Sequence, residues 1–466
     1  MSRVRPSLDA VGCALARPSG LLVLSAGLLA GALMDTVGYF GPGALAMATA
    51  AAALAMSAAL RIRRGHSEAA QAQQLSGARA VLGLLVAIFL VYDFVKLARA
   101  PWQRALFVTA ALMLAAEFRR RAGGPGGSRR GRRARLALWT ACALALAVCE
   151  LRSRNGSWID VWVFQQEASA ALLRGENPYA ITYPNIYGDL SVYGPGVADT
   201  RHVFVFPYSP LTILGDLPAF AALGDVRYAF LAALLVAALA MARLAPAEFR
   251  VLAAAAVLFH PTSLRIVRGG WTEPVVLAAG LLLALAIRRM VSLGRGGWAP
   301  AGAAAALLLG AKQYAPILLA PILPAIPSRG RGAAIALAVA LTAAIVAPFA
   351  MWGPRGLWNG VVLMQFRQPF RPDALSWPAA FARLGFGPPM ALASFAVVAA
   401  VLVLTWPRRR AVAPGMACGA VAFLVFVLSA KQAFVNYYWL ANGWLLAAFL
   451  LQLGDESRAV PSEEHV

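Results

Sequence analysis

The chain has 466 residues, of which 60% are hydrophobic and only 13% are charged. A soluble globule of this size needs more polar surface than such a composition can supply. The sequence therefore predicts an all-α polytopic membrane protein without a separate soluble domain.

The net charge of +22 indicates how the chain is oriented rather than a nucleic-acid partner. The basic residues gather in short segments between apolar runs, and such segments stay on the cytoplasmic side of a membrane. These segments are 61–64, 119–121, 129–135, 288–289 and 408–410. We expect all of them in the cytoplasm, and no nucleic-acid partner.

Apolar runs long enough to cross a bilayer recur along the whole chain, and they predict about fourteen spans. The first run follows several arginines, as in a signal peptide, but no small-x-small cleavage signal stands directly before Asp35, so we expect an uncleaved span. The predicted spans lie near 20–34, 43–60, 79–97, 104–117, 135–151, 207–223, 227–244, 272–289, 298–311, 313–327, 332–352, 389–406, 411–429 and 434–453.

A Gly/Arg-rich segment at 121–130 separates the fourth span from the fifth and predicts a domain boundary. It divides a four-span extension with its cytoplasmic linker, 1–130, from a second membrane domain, 131–466. The parity of the spans is coherent only if 207–223 or 250–262 does not fully cross. We expect the latter to be re-entrant, because it has roughly a dozen residues and ends at a proline.

A large polar segment, 152–205, interrupts the apolar chain and is predicted on the face opposite the basic segments. Asp160 follows a span closely and opens a stretch with many apolar positions, which is typical of a helix at the membrane interface. Its carboxylate is a candidate catalytic group, although Asp is also a favoured N-cap. Glu167, two turns later, is either a second acid or a solvated residue.

Two aromatic motifs follow in the same region. N-P-Y at 177–179 is a turn that carries Tyr179, and F-P-Y-S-P-L at 206–211 carries Tyr208 back to the membrane. Both tyrosines are candidate substrate contacts. Motifs of this kind are also common where a membrane span begins, without any role in binding.

Lysine is rare in this chain, since Lys96, Lys312 and Lys431 are the only lysines among 42 basic residues. The latter two share the tripeptide A-K-Q at predicted outer ends of spans. They are either snorkelling anchors or partners for a lipid phosphate. Further candidates for the same site are His260, Arg265, Arg268 and Arg367, with Arg371 close by.

The four cysteines, at 13, 142, 149 and 418, show no metal-type spacing. The sequence therefore predicts neither a zinc site nor a disulfide framework, and no His/Cys cluster demands a metal. We expect metal-independent chemistry without a cofactor, although a bound divalent ion is compatible with the sequence.

The order of the motifs resembles the GT-C superfamily of polyprenyl-phosphate-sugar-dependent glycosyltransferases, and most of all glycosyltransferase family 87. The resemblance covers about residues 135–453 and rests on short motifs. They are an acid after a span, L-L-R-G-E-N-P-Y, F-P-Y-S-P-L, A-K-Q-Y-A-P at 311–316 and A-K-Q-A-F-V-N-Y-Y at 430–438. The first four spans are outside the pattern, and G-G-W-T-E-P at 269–274 departs from it.

This resemblance implies a GT-C-like bundle and an inverting, mannosyltransferase-like enzyme on the outer face of a bacterial plasma membrane. Asp160 would be the catalytic base, while Lys312 and Lys431 match the family's basic positions at the outer ends of spans. Tyr437, in the last of these motifs, is a further candidate substrate contact. The donor would be a polyprenyl monophosphate sugar and the acceptor a glycolipid or envelope glycan. Two alternatives stay open, namely a non-enzymatic transporter of lipid-linked sugars and a polymerase or ligase that uses a pyrophosphate-linked donor.

Overall fold

The computed structural model describes residues 8–64, 72–119, 128–153, 159–194, 196–293, 297–387 and 391–458. Within these ranges the chain is mostly helical, and the only strands are β1 (Tyr183–Pro184) and β2 (His202–Val203), which pair antiparallel. Eight of the described helices are long and apolar enough to cross a membrane. The chain is therefore an all-α polytopic membrane protein, as its composition predicts, while the count of about fourteen spans stays a prediction.

The helices are numbered in chain order. They are α1 (Leu8–Leu15), α2 (Pro18–Thr36), α3 (Pro42–Arg64), α4 (Ala72–Leu97), α5 (Pro101–Arg119), α6 (Arg129–Ser153), α7 (Asp160–Leu173), α8 (Pro210–Leu223), α9 (Arg227–Leu244), α10 (Arg250–Leu258), α11 (Ser263–Arg268), α12 (Glu273–Leu293), α13 (Trp298–Ala311), α14 (Ala315–Leu319), α15 (Ser328–Trp352), α16 (Pro354–Trp358), α17 (Met364–Arg367), α18 (Trp377–Arg383), α19 (Ala391–Thr405), α20 (Val412–Ser429) and α21 (Val435–Arg458).

The helix bundle has two distinct ends. At the first, which we name the basic end, α6 begins, α9 ends, and Arg288 of α12 donates to the carbonyl of Leu244 at 2.8 Å. At the second, which we name the loop end, α6 ends, α9 begins, and Trp162 of α7 donates to Asp225 at 3.3 Å. Helix α7 therefore covers the loop end, as expected for an interfacial helix that follows a span.

Helix α8 stays at the loop end instead of crossing the bundle. It packs along α7, and its C-terminal turn is held by Gln166, which donates to Gly224 at 2.6 Å and accepts from the amide of Val226 at 3.2 Å. At the start of α8, the hydroxyl of Tyr179 donates to the carbonyl of Tyr208 at 2.7 Å. The prediction that 207–223 crosses is therefore wrong.

The region predicted to be re-entrant runs from one end of the bundle to the other, as a broken helix. Helix α10 begins at the basic end, where Arg250 lies within electrostatic range of Arg243. Helix α11 finishes at the loop end, where Arg268 and Glu150 form an ion pair of 2.8 Å. The prediction failed because the break at His260 shortens the apolar run, so that neither piece has the length of a span.

Side chains form hydrogen bonds that replace those lost by the helix backbone at this break. The hydroxyl of Ser263 donates to the carbonyl of Val257 at 2.7 Å, and the indole of Trp439 on α21 donates to that hydroxyl at 2.9 Å. Non-helical backbone is tolerated at membrane depth where protein groups replace the missing hydrogen bonds. Trp439 and Ser263 supply such groups here.

The N-terminal helices pack against the C-terminal ones. Helix α2 lies along α21 and α3 along α20, and the amide of Phe40 between α2 and α3 donates to the carbonyl of Asp373 at 2.8 Å. The division at residue 130 stays a prediction, and most of the linker that suggested it lies outside the described residues.

Candidate active site

A cavity of about 640 Å³ at the loop end brings together several of the predicted site residues. Asp160 lines it from the start of α7, and two lysines reach it from connections between helices that are far apart in sequence. The predicted residues that line it are Asp160, Lys312, Lys431, Tyr208 and Tyr437. Three glutamines, Gln313, Gln365 and Gln432, add polar groups to the same wall, while Ile317, Phe395 and Phe426 belong to an apolar wall.

Asp160 occupies the first position of α7 and is held by two tyrosines. Its Oδ1 accepts from the amide of Val161 at 2.8 Å and from the hydroxyl of Tyr187 at 3.3 Å, and its Oδ2 accepts from the hydroxyl of Tyr193 at 3.1 Å. The N-cap is Ile159, so the reading of Asp160 as an N-cap is wrong. Its carboxylate instead faces the cavity at the positive end of the helix dipole.

Burial raises the pKa of the Asp160 carboxyl above its ordinary value, and the hydrogen bonds from Tyr193 and the amide of Val161 oppose that rise. A raised pKa makes the ionised carboxylate a stronger base. Burial is the main reason why the pKa values of the Tyr187 and Tyr193 hydroxyls are raised, and the negative charge of Asp160 raises them further. Both hydroxyls therefore stay protonated and keep donating to Asp160.

This arrangement makes a pH-dependent prediction. Tyr193→Phe removes a hydrogen bond that favours the ionised form of Asp160, so the pKa of Asp160 should rise further. We expect the acidic limb of the profile of kcat/KM against pH to move to higher pH, with little change on the alkaline side of that limb. Profiles of wild type and variant with one donor measure the shift. A limb that stays in place would contradict the role of Tyr193.

Lys312 follows α13 and forms a buried ion pair that sequence reasoning missed. Its Nζ lies 3.2 Å from Oε1 of Glu273, which is completely buried at the start of α12. The same oxygen accepts from the hydroxyl of Tyr314 at 3.0 Å and from the amide of Asn436 at 2.9 Å. Lys312 also lies over the ring of Tyr208, 4.8 Å from its centre. Lys312 is thus fixed at the cavity wall.

The second oxygen of Glu273, Oε2, is buried and has no hydrogen-bond partner among the described residues. The sequence placed Glu273 in the G-G-W-T-E-P segment, where the family pattern is not followed. In the sequence, an acid in the first turn of a helix indicates only an ordinary favourable interaction with the helix dipole. No local signal linked Glu273 to Lys312, because the two residues meet only through the packing of α12 against α13.

Lys431 lies between α20 and α21 and is half-buried. Its Nζ donates to the carbonyls of Phe366 in α17 at 2.8 Å and of Gln368, directly after α17, at 2.5 Å. Burial lowers the pKa of its ammonium group. An ammonium group has three donors, so one donor is left to act towards the cavity.

The other predicted residues do not line this cavity. Tyr179 is buried beneath it and holds the carbonyl of Tyr208. His260 lies at the break between α10 and α11, with its ring centre 5.2 Å from that of Phe89 on α4. The predicted residues that do not line the cavity are Glu167, Tyr179, His260, Arg265, Arg268 and Arg367, and their functional roles stay predictions.

Tyr187 and Tyr193 are functional candidates that the motifs did not single out. They lie far from Asp160 in the chain, in the loop between the paired strands β1 and β2. Only the fold of this loop brings their hydroxyls to the carboxylate. An enrichment in tyrosine between 179 and 208 is the one signal that could have pointed to them.

No family model matches the chain, and no curated protein or solved structure matches it. The resemblance to glycosyltransferase family 87 is therefore carried by short motifs alone, and a function has to be argued from the cavity itself.

Proposed function

We propose that the protein is a membrane glycosyltransferase that moves a sugar from a polyprenyl monophosphate to a hydroxyl group of a lipid or glycan acceptor. One observation carries this proposal, namely that Asp160, Lys312 and Lys431 line a single cavity with an apolar wall. A base, two cations and an apolar surface match the three parts of such a reaction. These parts are the acceptor hydroxyl, the phosphate and the polyprenyl chain.

In the proposed reaction, Asp160 removes the proton of the acceptor hydroxyl as its oxygen forms a bond to the anomeric carbon. The bond between that carbon and the phosphate oxygen breaks, and its electron pair leaves with the phosphate. Because phosphate is a good leaving group, no strong general acid is needed, and cations that stabilise the growing negative charge are sufficient. A single displacement of this kind inverts the anomeric configuration.

The apolar wall supports a polyprenyl donor rather than a soluble nucleotide sugar. It includes Phe395 of α19, which is 48% exposed, and Phe366 of α17, which is 63% exposed. These side chains continue the cavity towards the outside of the helix bundle, where a membrane would place acyl chains. An isoprenoid chain fits an apolar surface that opens in this direction.

A membrane assay with several polyprenyl monophosphate sugars, followed by mass spectrometry of the products, tests the proposed function. Transfer to a hydroxyl acceptor with inversion would support it. Transfer only from pyrophosphate-linked donors would favour a polymerase or ligase, and movement of intact donor across vesicles without transfer would favour a transporter. We propose that transfer is metal-independent, so chelation should leave the rate unchanged.

We further propose that the loop end faces outwards from a bacterial plasma membrane. Cysteine reporters in a background without the native cysteines should be labelled from outside at Ser191, which is at the loop end, but not at Arg409, between α19 and α20. The reason is that clustered arginines stay in the cytoplasm. Protection of Ser191 with labelling of Arg409 would place the cavity in the cytoplasm and favour a nucleotide-sugar donor.

A further inference from the structure

A tyrosine surface lies next to Asp160 but outside the cavity. Tyr187, whose hydroxyl donates to Asp160, is 41% exposed, and its ring centre lies 6.1 Å from that of Tyr193. Tyr39, from the connection between α2 and α3, is 47% exposed and lies within electrostatic range of Tyr187. Neither of these exposed tyrosines lines the cavity. Asp160 therefore adjoins both the cavity, which it lines, and this surface, through its hydrogen bond from Tyr187.

Several contacts hold Tyr39 in this position. Tyr39 forms an antiparallel bridge with Ala374, and its ring centre lies 6.0 Å from that of Phe434. Arg371 lies over the same Phe434 ring, 4.9 Å from its centre. The backbone amide of Arg371 donates to the carbonyl of Lys431 at 3.1 Å, so the surface is joined directly to the cavity wall.

We propose that Tyr39 and Tyr187 form the binding surface for a sugar ring of the acceptor, which reaches Asp160 from outside the cavity that holds the donor. This inference rests on the proposed function. It gives the connection between α2 and α3, which lies outside the family resemblance, a direct part in choosing the acceptor.

The chemistry of the surface fits a sugar better than an acyl chain or a free anion. Exposed tyrosines offer an apolar ring face and a polar hydroxyl, and so match a pyranose, which has an apolar C–H face and polar edges. The Arg371 guanidinium is already bound to Asp373 through contacts of 2.8 and 2.6 Å. Two of its nitrogens, Nε and Nη2, therefore already donate to a carboxylate, and we place no anion site here.

The position of the surface also suits the proposed reaction. The donor needs the lysines and the apolar wall of the cavity, and for an in-line displacement the acceptor oxygen has to reach the anomeric carbon on the face opposite the phosphate. Tyr187 donates to Oδ1 of the carboxylate without itself lining the cavity. A sugar lying on Tyr187 and Tyr39 would place one of its hydroxyls within reach of Asp160.

The test compares Tyr39→Ala with wild type, using a panel of n-octyl glycosides as acceptor probes and one reactive polyprenyl phosphate sugar as donor. We expect the KM for the glycoside to rise about tenfold, the scale of losing one stacked aromatic. The donor KM and the slow hydrolysis of donor by water should not change. Tyr39→Phe should retain most of the acceptor affinity, and Trp102→Ala, an exposed aromatic outside this surface, serves as the matched control.

Each outcome has a separate meaning. An unchanged glycoside KM in a well-folded Tyr39→Ala variant would overturn this inference and leave the proposed function standing. Hydrolysis of donor by wild type without transfer to any octyl glycoside would also overturn it. If wild type neither transfers nor hydrolyses any polyprenyl phosphate sugar, the proposed function fails and the acceptor surface fails with it.

Discussion

Asp160→Asn is expected to lower kcat by about 100-fold or more, the usual scale for the loss of a general base. The amide has nearly the shape of the carboxylate, so its oxygen can still accept from the hydroxyl of Tyr187, while its NH2 group can donate to the oxygen of Tyr193. Folding should therefore be preserved. What the amide cannot do is take the proton of the acceptor hydroxyl. The measurement is turnover by purified variant and wild type at saturating donor, together with thermal unfolding in the same detergent.

Glu167→Gln is the matched control for this experiment, because Glu167 is an acid on the same helix that does not line the cavity. We expect near-normal turnover from this variant. If Asp160→Asn retained wild-type turnover while Glu167→Gln lost it, the two assignments would have to be exchanged. If both variants remained active, neither acid would be the base.

Lys312→Gln is expected to lower both stability and turnover, and a double variant separates the two effects. Removing the lysine leaves the Glu273 carboxylate buried without its cation, which costs about 3–5 kcal/mol in comparable buried pairs. The combined change Lys312→Gln with Glu273→Gln removes both charges and should recover most of that stability. Turnover should stay low in the double variant, since the cation that faces the phosphate is still missing.

Thermal unfolding and steady-state kinetics of the two single variants and the double variant check this prediction. Negative charge grows on the phosphate as it leaves, so the loss should fall on kcat as well as on the donor KM. Recovery of both stability and turnover in the double variant would show that Lys312 is only a structural partner of Glu273. The phosphate would then have to be held by Lys431.

Several residues of the candidate site could be singled out from the sequence, because local signals mark them. Asp160 stands out as an acid just after an apolar run, and Lys312 and Lys431 stand out because lysine is rare in this chain. Such signals could not predict a partner that only the packing of the chain brings close. Glu273 and Tyr193 belong to this class, since each meets its charged partner only through the tertiary fold.

The fold shows the same division between local and distant information. Composition and apolar runs predict the helical membrane class, which depends on sums along the chain. The sequence did not predict the crossing by α10 and α11, because Pro261 and two arginines interrupt the apolar run. A prediction from the length of apolar runs assumes an unbroken helix. The apolarity of α8 predicts a span, because apolarity alone does not distinguish a helix that lies across the end of a bundle from one that passes through it.

The ion pair between Glu273 and Lys312 also bears on how this part of the chain enters a membrane. Both charges belong to the same end of a hairpin formed by α12 and α13, and in the proposed orientation both must cross the bilayer during synthesis. Each ionised group alone costs about 2.5–3.5 kcal/mol at the bilayer centre, and moving it against a membrane potential of 100 mV adds or returns about 2.3 kcal/mol. If the two opposite charges cross together, the electrical work on one cancels the electrical work on the other. The membrane potential therefore neither helps nor opposes insertion of the whole hairpin through this pair, whereas it would act on either helix inserted alone.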